Sequence, residues 1–311
     1  MADGKTNQEL LLDALREAVA AASLKPPRVA LPEDRWVELN GVRLHYLDWG
    51  NPSLAPVVLL HGDGLQAHTW DLPALLLRDR YHLVALSLRG HGDSGWTPDE
   101  QLGRERFELL LEDTRAFVEH LGHARLTLVG MSLGGLLAYR FAARYPEKLN
   151  ALVVLDAAPE LDAAGLEELT RQRSASEILP TLDDFLQAAQ RFFPERPQAQ
   201  LRYSLLHALK QLQDGRWTWK RDLRARPVLD AAGRDAHVAS LWQDVRAIRT
   251  PTLLLRGERS KLLSPETAAR VGRELRGARL VTIQNAGHNL HGDAPAEFAR
   301  TLDDFLTRTR G

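Results

Sequence analysis

A serine framed by two glycines, Gly130-Met131-Ser132-Leu133-Gly134, stands where an apolar run ends and a helical pattern begins. This is the G-x-S-x-G spacing in the strand–turn–helix context that gives it chemical meaning. A serine forced into a sharp turn is crowded by the residues two positions away on either side. Glycine at both positions relieves the crowding and leaves the hydroxyl exposed. The helix beginning at Leu133 points its free N–H groups and the positive end of its dipole at the same place. A hydroxyl needs a base to become a useful nucleophile, and "NAGHNLHGD" supplies His288 just after the last apolar run. His291, three residues on, is expected to pack or hydrogen-bond locally. "LLHGDG" supplies a third part: a loop leaving His61-Gly62 can aim the N–H of Asp63 at the point served by the N–H of Leu133. Two such donors would hold the oxyanion of a tetrahedral intermediate, a dominant electrostatic contribution in acyl transfer. His61 itself reads as a brace for that loop.

Elements able to position these groups recur along the chain. "RWVELN", "VRLHYLDW" and "APVVLLHG" read as three successive strands, the first two joined at Asn40-Gly41, a strong hairpin signal. "YHLVALSLRG", "RLTLVGMS", "NALVVLDAAP", "PTLLLRG" and "RLVTIQNAG" follow, and the last four are the near-continuous apolar runs of parallel strands buried on both faces. Helical patterns over 104–121, 133–145, 264–276 and 294–308 lie between them. The predicted architecture is α/β: a mostly parallel central sheet with helices on both faces. Residues 158–245 break the alternation, with no convincing strand and with Pro180, Pro194, Pro197 and Pro227 punctuating helical stretches. The expected organisation is a helical extension over 1–34, a core over 35–157 and 246–311, and a helical cap over 158–245. An insertion of that kind should sit at the carboxyl edge of the sheet, where ligands bind.

Composition removes several function classes. The 311 residues are 44% hydrophobic and 26% charged, an ordinary globular balance, and the net charge of −1 makes no electrostatic case for nucleic acid or an anionic membrane. With no cysteine, disulfides, thiolate metal sites and cysteine nucleophiles are all excluded. "NQELLLDALREAVAAAS" carries Glu9, Asp13, Arg16 and Glu17 within its apolar stretch, so it reads as an amphipathic helix rather than a secretory signal. That helix either packs on the main body or serves as a partner-binding arm. No run approaches the ~18 apolar residues of a membrane span. His120 and His123 lack a third ligand, so no metal is expected. No phosphate loop or dinucleotide fingerprint is present, so no cofactor is expected. The expected partner is a small-molecule substrate, for a monomeric or homodimeric protein in the cytoplasm.

Taken together, "LHGDGLQAHTWD", "LRGHGDSG", "GMSLGG", "LLLRGERS" and "AGHNLHGDAPAEF" resemble the ordered signature of the α/β-hydrolase fold family, in its capped esterase-, lactonase- and C–C-hydrolase-like group. The resemblance covers roughly 35–311, and "DGRWTWKRD" also resembles a segment recurrent before the sheet resumes. It implies a serine hydrolase with Ser132 as nucleophile, His288 as base and the amides of Asp63 and Leu133 as oxyanion hole. Two positions depart from the pattern. Ser87 stands where the family usually has an aspartate that braces a loop. Lys261, four residues before Pro265, stands where the family carries the acid of the triad. A lysine cannot orient an imidazole as a carboxylate does. In some relatives, the vertebrate pancreatic lipases and certain haloalkane dehalogenases, the acid follows an earlier strand, and "LDAAP" resembles that lipase segment. Asp156, Glu258 and no acid at all therefore remain as alternatives. The expected activity is hydrolysis of a small, fairly apolar ester, lactone or related carbonyl compound. The competing expectation is a degenerate ligand-binding relative disabled by Lys261.

Overall fold

In the computed structural model, which describes residues 6–173, 177–224 and 231–309, Asn40 and Gly41 both hold positive φ, 49° and 75°. A two-residue turn that matches strand twist requires that backbone. The turn joins β1 (Glu33–Leu39) antiparallel to β2 (Val42–Asp48), with Leu39 paired to Val42. The core continues with β3 (Pro56–Leu60), α2 (Asp71–Leu77), β4 (His82–Leu86), α3 (Arg106–His120), β5 (Leu126–Met131), α4 (Leu133–Arg144) and β6 (Leu149–Leu155). After the insertion come β10 (Thr252–Gly257), α9 (Pro265–Glu274), β11 (Arg279–Ile283), α10 (Leu290–Asp293) and α11 (Pro295–Thr309). The eight-stranded sheet runs β1-β2-β4-β3-β5-β6-β10-β11. Every neighbouring pair from β4 onward is parallel.

Period-2 alternation splits the core into two layers. Val58 and Leu60 of β3, Leu128 of β5 and Val154 of β6 face α3, α4 and α9. Val57 and Leu59, Val129 and Val153 face α2 and α11. The helix over Asn7–Ala21, α1, joins this second layer through Leu15, Ala18 and Val19, all buried. Its start is closed by a reciprocal capping box between Thr6 and Glu9. The N-terminal helix therefore packs on the body, the first of the two expectations. β5, β6 and β10 are buried on both faces as expected, but β11 is not: Arg279, Leu280 and Thr282 are exposed. As the outermost strand it lacks a neighbour on one side, and an apolar run alone does not reveal that position.

Between β6 and β10 lie α5 (Ala163–Arg173), β7 (Ile178–Leu179), α6 (Leu182–Phe192), α7 (Gln198–Ala208), β8 (Leu209–Gln211), β9 (Trp217–Trp219) and α8 (Ala231–Ala247). Contrary to the sequence expectation of no strand here, β7, β9 and β8 form a small antiparallel sheet. Strands of two and three residues are too short to show a period. Phe185, Leu186, Leu201, Leu205 and Leu209 make a separate apolar cluster within the insertion. Leu241, Trp242 and Val245 of α8 instead join the core layer beside α4 and α9. α7 also packs against α1. Pro180, Pro194 and Pro197 fall outside the insertion's helices, while Pro227 lies outside the described residues.

Candidate active site

The carboxyl ends of β3, β5, β6, β10 and β11 converge on one edge of the sheet. At the end of β5, Ser132 holds φ 52° and ψ −115°, a left-handed conformation that costs a non-glycine residue of order 1–3 kcal/mol. The turn is clamped from several sides. The N–H of Ser132 donates to Leu155 O at 2.9 Å, and the N–H of Gly134 donates to His61 O at 3.2 Å. A Cβ on Gly130 would stand 2.2 Å from Gly134 O, and one on Gly134 would stand 2.4 Å from Leu60 O. Both glycines are therefore required by backbone approach, as the G-x-S-x-G reading expects.

His288 follows β11, and its Nδ1 lies 2.6 Å from Asp156 Oδ2. A carboxylate only accepts, so the proton sits on Nδ1 and the lone pair is left on Nε2. Asp156 ends β6, is buried, and has φ 48°. Its N–H donates to Leu255 O at 2.8 Å. Ser260 Oγ donates to Oδ2 at 2.5 Å and the N–H of Gly257 donates to Oδ1 at 3.1 Å. Of the three alternatives for the histidine's partner, the geometry therefore brings Asp156 to His288. Glu258 is turned elsewhere, accepting the N–H of Asn285 at 2.8 Å. Lys261 is exposed. It lines a cavity of about 550 Å³ that also reaches His288, with Phe192, Phe193, Arg196 and Leu262 among the walls. It does not take the place of the acid, because that place is filled from the neighbouring strand.

The loop after β3 is braced as the sequence suggested. His61 Nε2 accepts the N–H of Leu88 at 2.9 Å, and its Nδ1 lies 2.7 Å from Gly62 O. Burial, reinforced by the neighbouring His91, pushes the His61 imidazole down to about 3, so it stays neutral and keeps its acceptor. Asp63 is held by Arg106 Nη2 at 2.9 Å and His91 Nε2 at 3.4 Å. Partial burial works to raise its carboxyl, but His91 and Arg106 outweigh that and hold it well below the usual carboxylate range. Leu133 opens α4, where first-turn N–H groups have no acceptor within the helix. Ser87 also proves a brace rather than a weakness. Its Oγ accepts from Ala67 N at 3.2 Å and lies 3.1 Å from His45 Nδ1, while His45 Nε2 reaches Asp34 at 2.9 Å.

His291 packs rather than reacts. It is buried, stacked on Trp70 at 4.1 Å, and its Nε2 lies 2.9 Å from Thr69 Oγ1. Sequence reasoning missed Ser260 and a second polar cluster. Tyr203 of α7 donates to Asp71 Oδ2 at 2.5 Å, and His68 Nδ1 lies 2.8 Å from the same oxygen. His207 stacks on His68 at 3.5 Å. Among the described residues, only His68, Asp71 and His207 gather as a group able to reach one metal ion. As they stand they tie α7 to the core. Nothing in the sequence spacing of 68, 71, 203 and 207 signals that meeting. His120 ends α3 and is exposed, and His123 lies just beyond it.

The sequence profile of the alpha/beta hydrolase fold matches residues 55–295, and the chain belongs to this family. It is 31% identical over 274 residues to the esterase Rv0045c of Mycobacterium tuberculosis, covering 85% of this chain and 86% of that one. The crystal structure of that esterase superposes with a TM-score of 0.76 at 27% identity, covering 99% of this chain and 100% of that one. N-formylmaleamate deformylase of Pseudomonas putida is 28% identical over 281 residues, covering 87% and 95%. With these relatives the protein is a hydrolase enzyme of the α/β-hydrolase fold. Among the described residues no helix is long and apolar enough to cross a membrane.

Proposed function

We propose that the protein is a serine hydrolase that cleaves a small, fairly apolar ester, lactone or related carbonyl compound through Ser132, His288 and Asp156. One observation carries the reading: His288 Nδ1 and Asp156 Oδ2 lie 2.6 Å apart on the same sheet edge as the strained Ser132 turn. Ser132 Oγ attacks the carbonyl carbon while Nε2 of His288 takes its proton. The carbonyl π electrons move to oxygen, where the amides of Asp63 and Leu133 receive the charge. Collapse of the intermediate breaks the bond to the leaving alcohol, which takes the proton from His288. Water then attacks the acyl-serine by the same route in reverse and frees Ser132. Asp156 keeps the proton on Nδ1 and offsets the imidazolium charge in both halves.

The insertion is the lid of this site. Phe192 and Phe193 line the cavity beside His288 and Leu262, which favours an apolar acyl group and limits water entry. The alternative of a degenerate ligand-binding protein rests on a missing acid, and Asp156 supplies a carboxylate at the required atom. A fluorophosphonate probe tests the reading. Ser132 is expected to be labelled, the Ser132→Ala variant to remain unlabelled, and a panel of p-nitrophenyl esters to show a preference for short acyl chains. A folded wild-type protein that resists the probe and leaves every ester intact would overturn it.

A further inference from the structure

The loop after β10, where the family ordinarily carries the acid, here carries no carboxylate in contact with His288. It carries Ser260 instead. Ser260 is buried, and its hydroxyl hydrogen goes to Asp156 Oδ2 at 2.5 Å, the same oxygen that faces His288 Nδ1. The hydroxyl oxygen is itself fixed by the N–H groups of Leu262 at 3.3 Å and Leu263 at 3.2 Å. With both lone-pair directions occupied, the only direction left for its hydrogen is toward Asp156. The loop bearing Ser260 is pinned in turn by Arg256, buried in β10. Its Nε donates to Leu263 O at 2.8 Å, its Nη1 to Glu258 O at 3.2 Å and its Nη2 to Ser260 O at 3.5 Å. The backbone of the same loop closes on the histidine loop: the N–H of Arg259 donates to Ala286 O at 2.8 Å.

We propose that Ser260 is a positioning residue for catalysis, orienting the Asp156 carboxylate toward His288 from the loop that ordinarily supplies the acid itself. This inference rests on the reading of Asp156 as the acid. A carboxylate that follows β6 approaches the histidine from a different strand and must be aimed sideways across the end of β10. The single bond Cβ–Cγ of Asp156 would otherwise leave the plane of the carboxylate free to turn. The N–H of Gly257 on Oδ1 and the hydroxyl of Ser260 on Oδ2 fix that plane from both ends. Lys261, next in the chain, then has no catalytic task; it is exposed and is among the residues that line the cavity.

The experiment is a double-mutant cycle on full-length protein, read as kcat and KM for a p-nitrophenyl ester. Ser260→Ala is expected to lower kcat by roughly tenfold to a hundredfold, the worth of one hydrogen bond to a charged group, with KM changed less than about twofold. Ser260→Thr, which keeps the hydroxyl, is expected to restore most of the lost kcat. In the Asp156→Asn background the same Ser260→Ala change is expected to alter kcat by less than about threefold, since residues that act as one unit are not additive. Circular dichroism melting of each variant reports whether it is folded. A Ser260→Ala loss of equal size in both backgrounds would overturn the inference, as would an unchanged kcat in the Ser260→Ala single variant. Those outcomes leave the Asp156 reading standing if Asp156→Asn alone lowers kcat by a hundredfold or more. Full turnover in the Asp156→Asn variant would instead overturn the acid assignment, and the role of Ser260 with it.

Discussion

Replacing Asp156 by asparagine probes the site at its most distinctive point. Three donors meet this carboxylate: His288 and Ser260 on Oδ2, Gly257 on Oδ1. An amide has one acceptor oxygen and one NH₂ group, so no orientation satisfies all three. With its oxygen toward His288, its NH₂ opposes the N–H of Gly257. With its NH₂ toward His288, Nδ1 must give up its proton, and Nε2 then holds a hydrogen where it should accept one from Ser132. Losing a single charge-assisted bond costs ~1.5–3 kcal/mol, or roughly tenfold to 150-fold in rate. Locking the wrong tautomer in a serine protease costs about 10⁴, equivalent to ~5.5 kcal/mol. Asp156→Asn is therefore expected to lower kcat by about 10²- to 10⁴-fold, in a protein that still melts cooperatively by circular dichroism but at a lower temperature, since a buried donor left unpaired costs about 1–3 kcal/mol. Lys261→Asp is expected to leave kcat within about threefold, because His288 already has its carboxylate. Steady-state hydrolysis of p-nitrophenyl esters measures both. An Asp156→Asn variant within threefold of wild type would refute the argument, as would a tenfold or greater gain from Lys261→Asp.

Two further outcomes follow from the packing. A Gly134→Ala methyl would meet Leu60 O at 2.4 Å and His61 O at 2.7 Å; these are backbone atoms that cannot swing aside. It is expected to cost at least ~1–3 kcal/mol in urea unfolding and to abolish fluorophosphonate labelling. The acid side of the stability profile should be steep. His61 is held at about 3 against an unfolded value of 6.5, so the unfolded chain binds the extra proton between those values. Stability is complete above pH 6.5 and falls as pH drops toward 3, by about 2 kcal/mol at pH 5 from this group alone. His207 and His291, also pushed down by burial, act in the same direction. Urea titrations at pH 7 and pH 5 with equal midpoints would refute this.

Much of the candidate site is legible in the sequence because its parts are local. The serine turn is written within Gly130–Gly134, since the steric need for glycine arises from contacts within a few residues and with the adjoining strand. The Asn40-Gly41 turn is equally local, a matter of two φ angles. His61 is found because it follows directly on a strand whose apolar run is easy to read, and His288 because it lies in the loop that leaves the last strand. The two-layer core is legible in the continuous apolar runs of β5, β6 and β10, which must be covered on both faces.

What the sequence leaves open is decided by strand order. Asp156 and Ser260 are far apart in the chain, and they meet only because β6 lies beside β10 in the sheet and β11 beside β10 in turn. From the sequence, Lys261 at the expected acid position leaves both a relocated acid, at Asp156 or Glu258, and a missing one open. The structure turns on the direction in which Asp156 leaves β6, with φ 48°, a torsion that no residue type announces. The same holds for Ser87. A serine in place of an aspartate reads as a loosened loop, yet His45 from β2, beside β4 in the sheet, closes the gap. Hydrogen-bond partners across a sheet are fixed by register and twist, which are properties of the assembled layers. A side chain's chemistry belongs to the sequence; which atom it faces belongs to the fold.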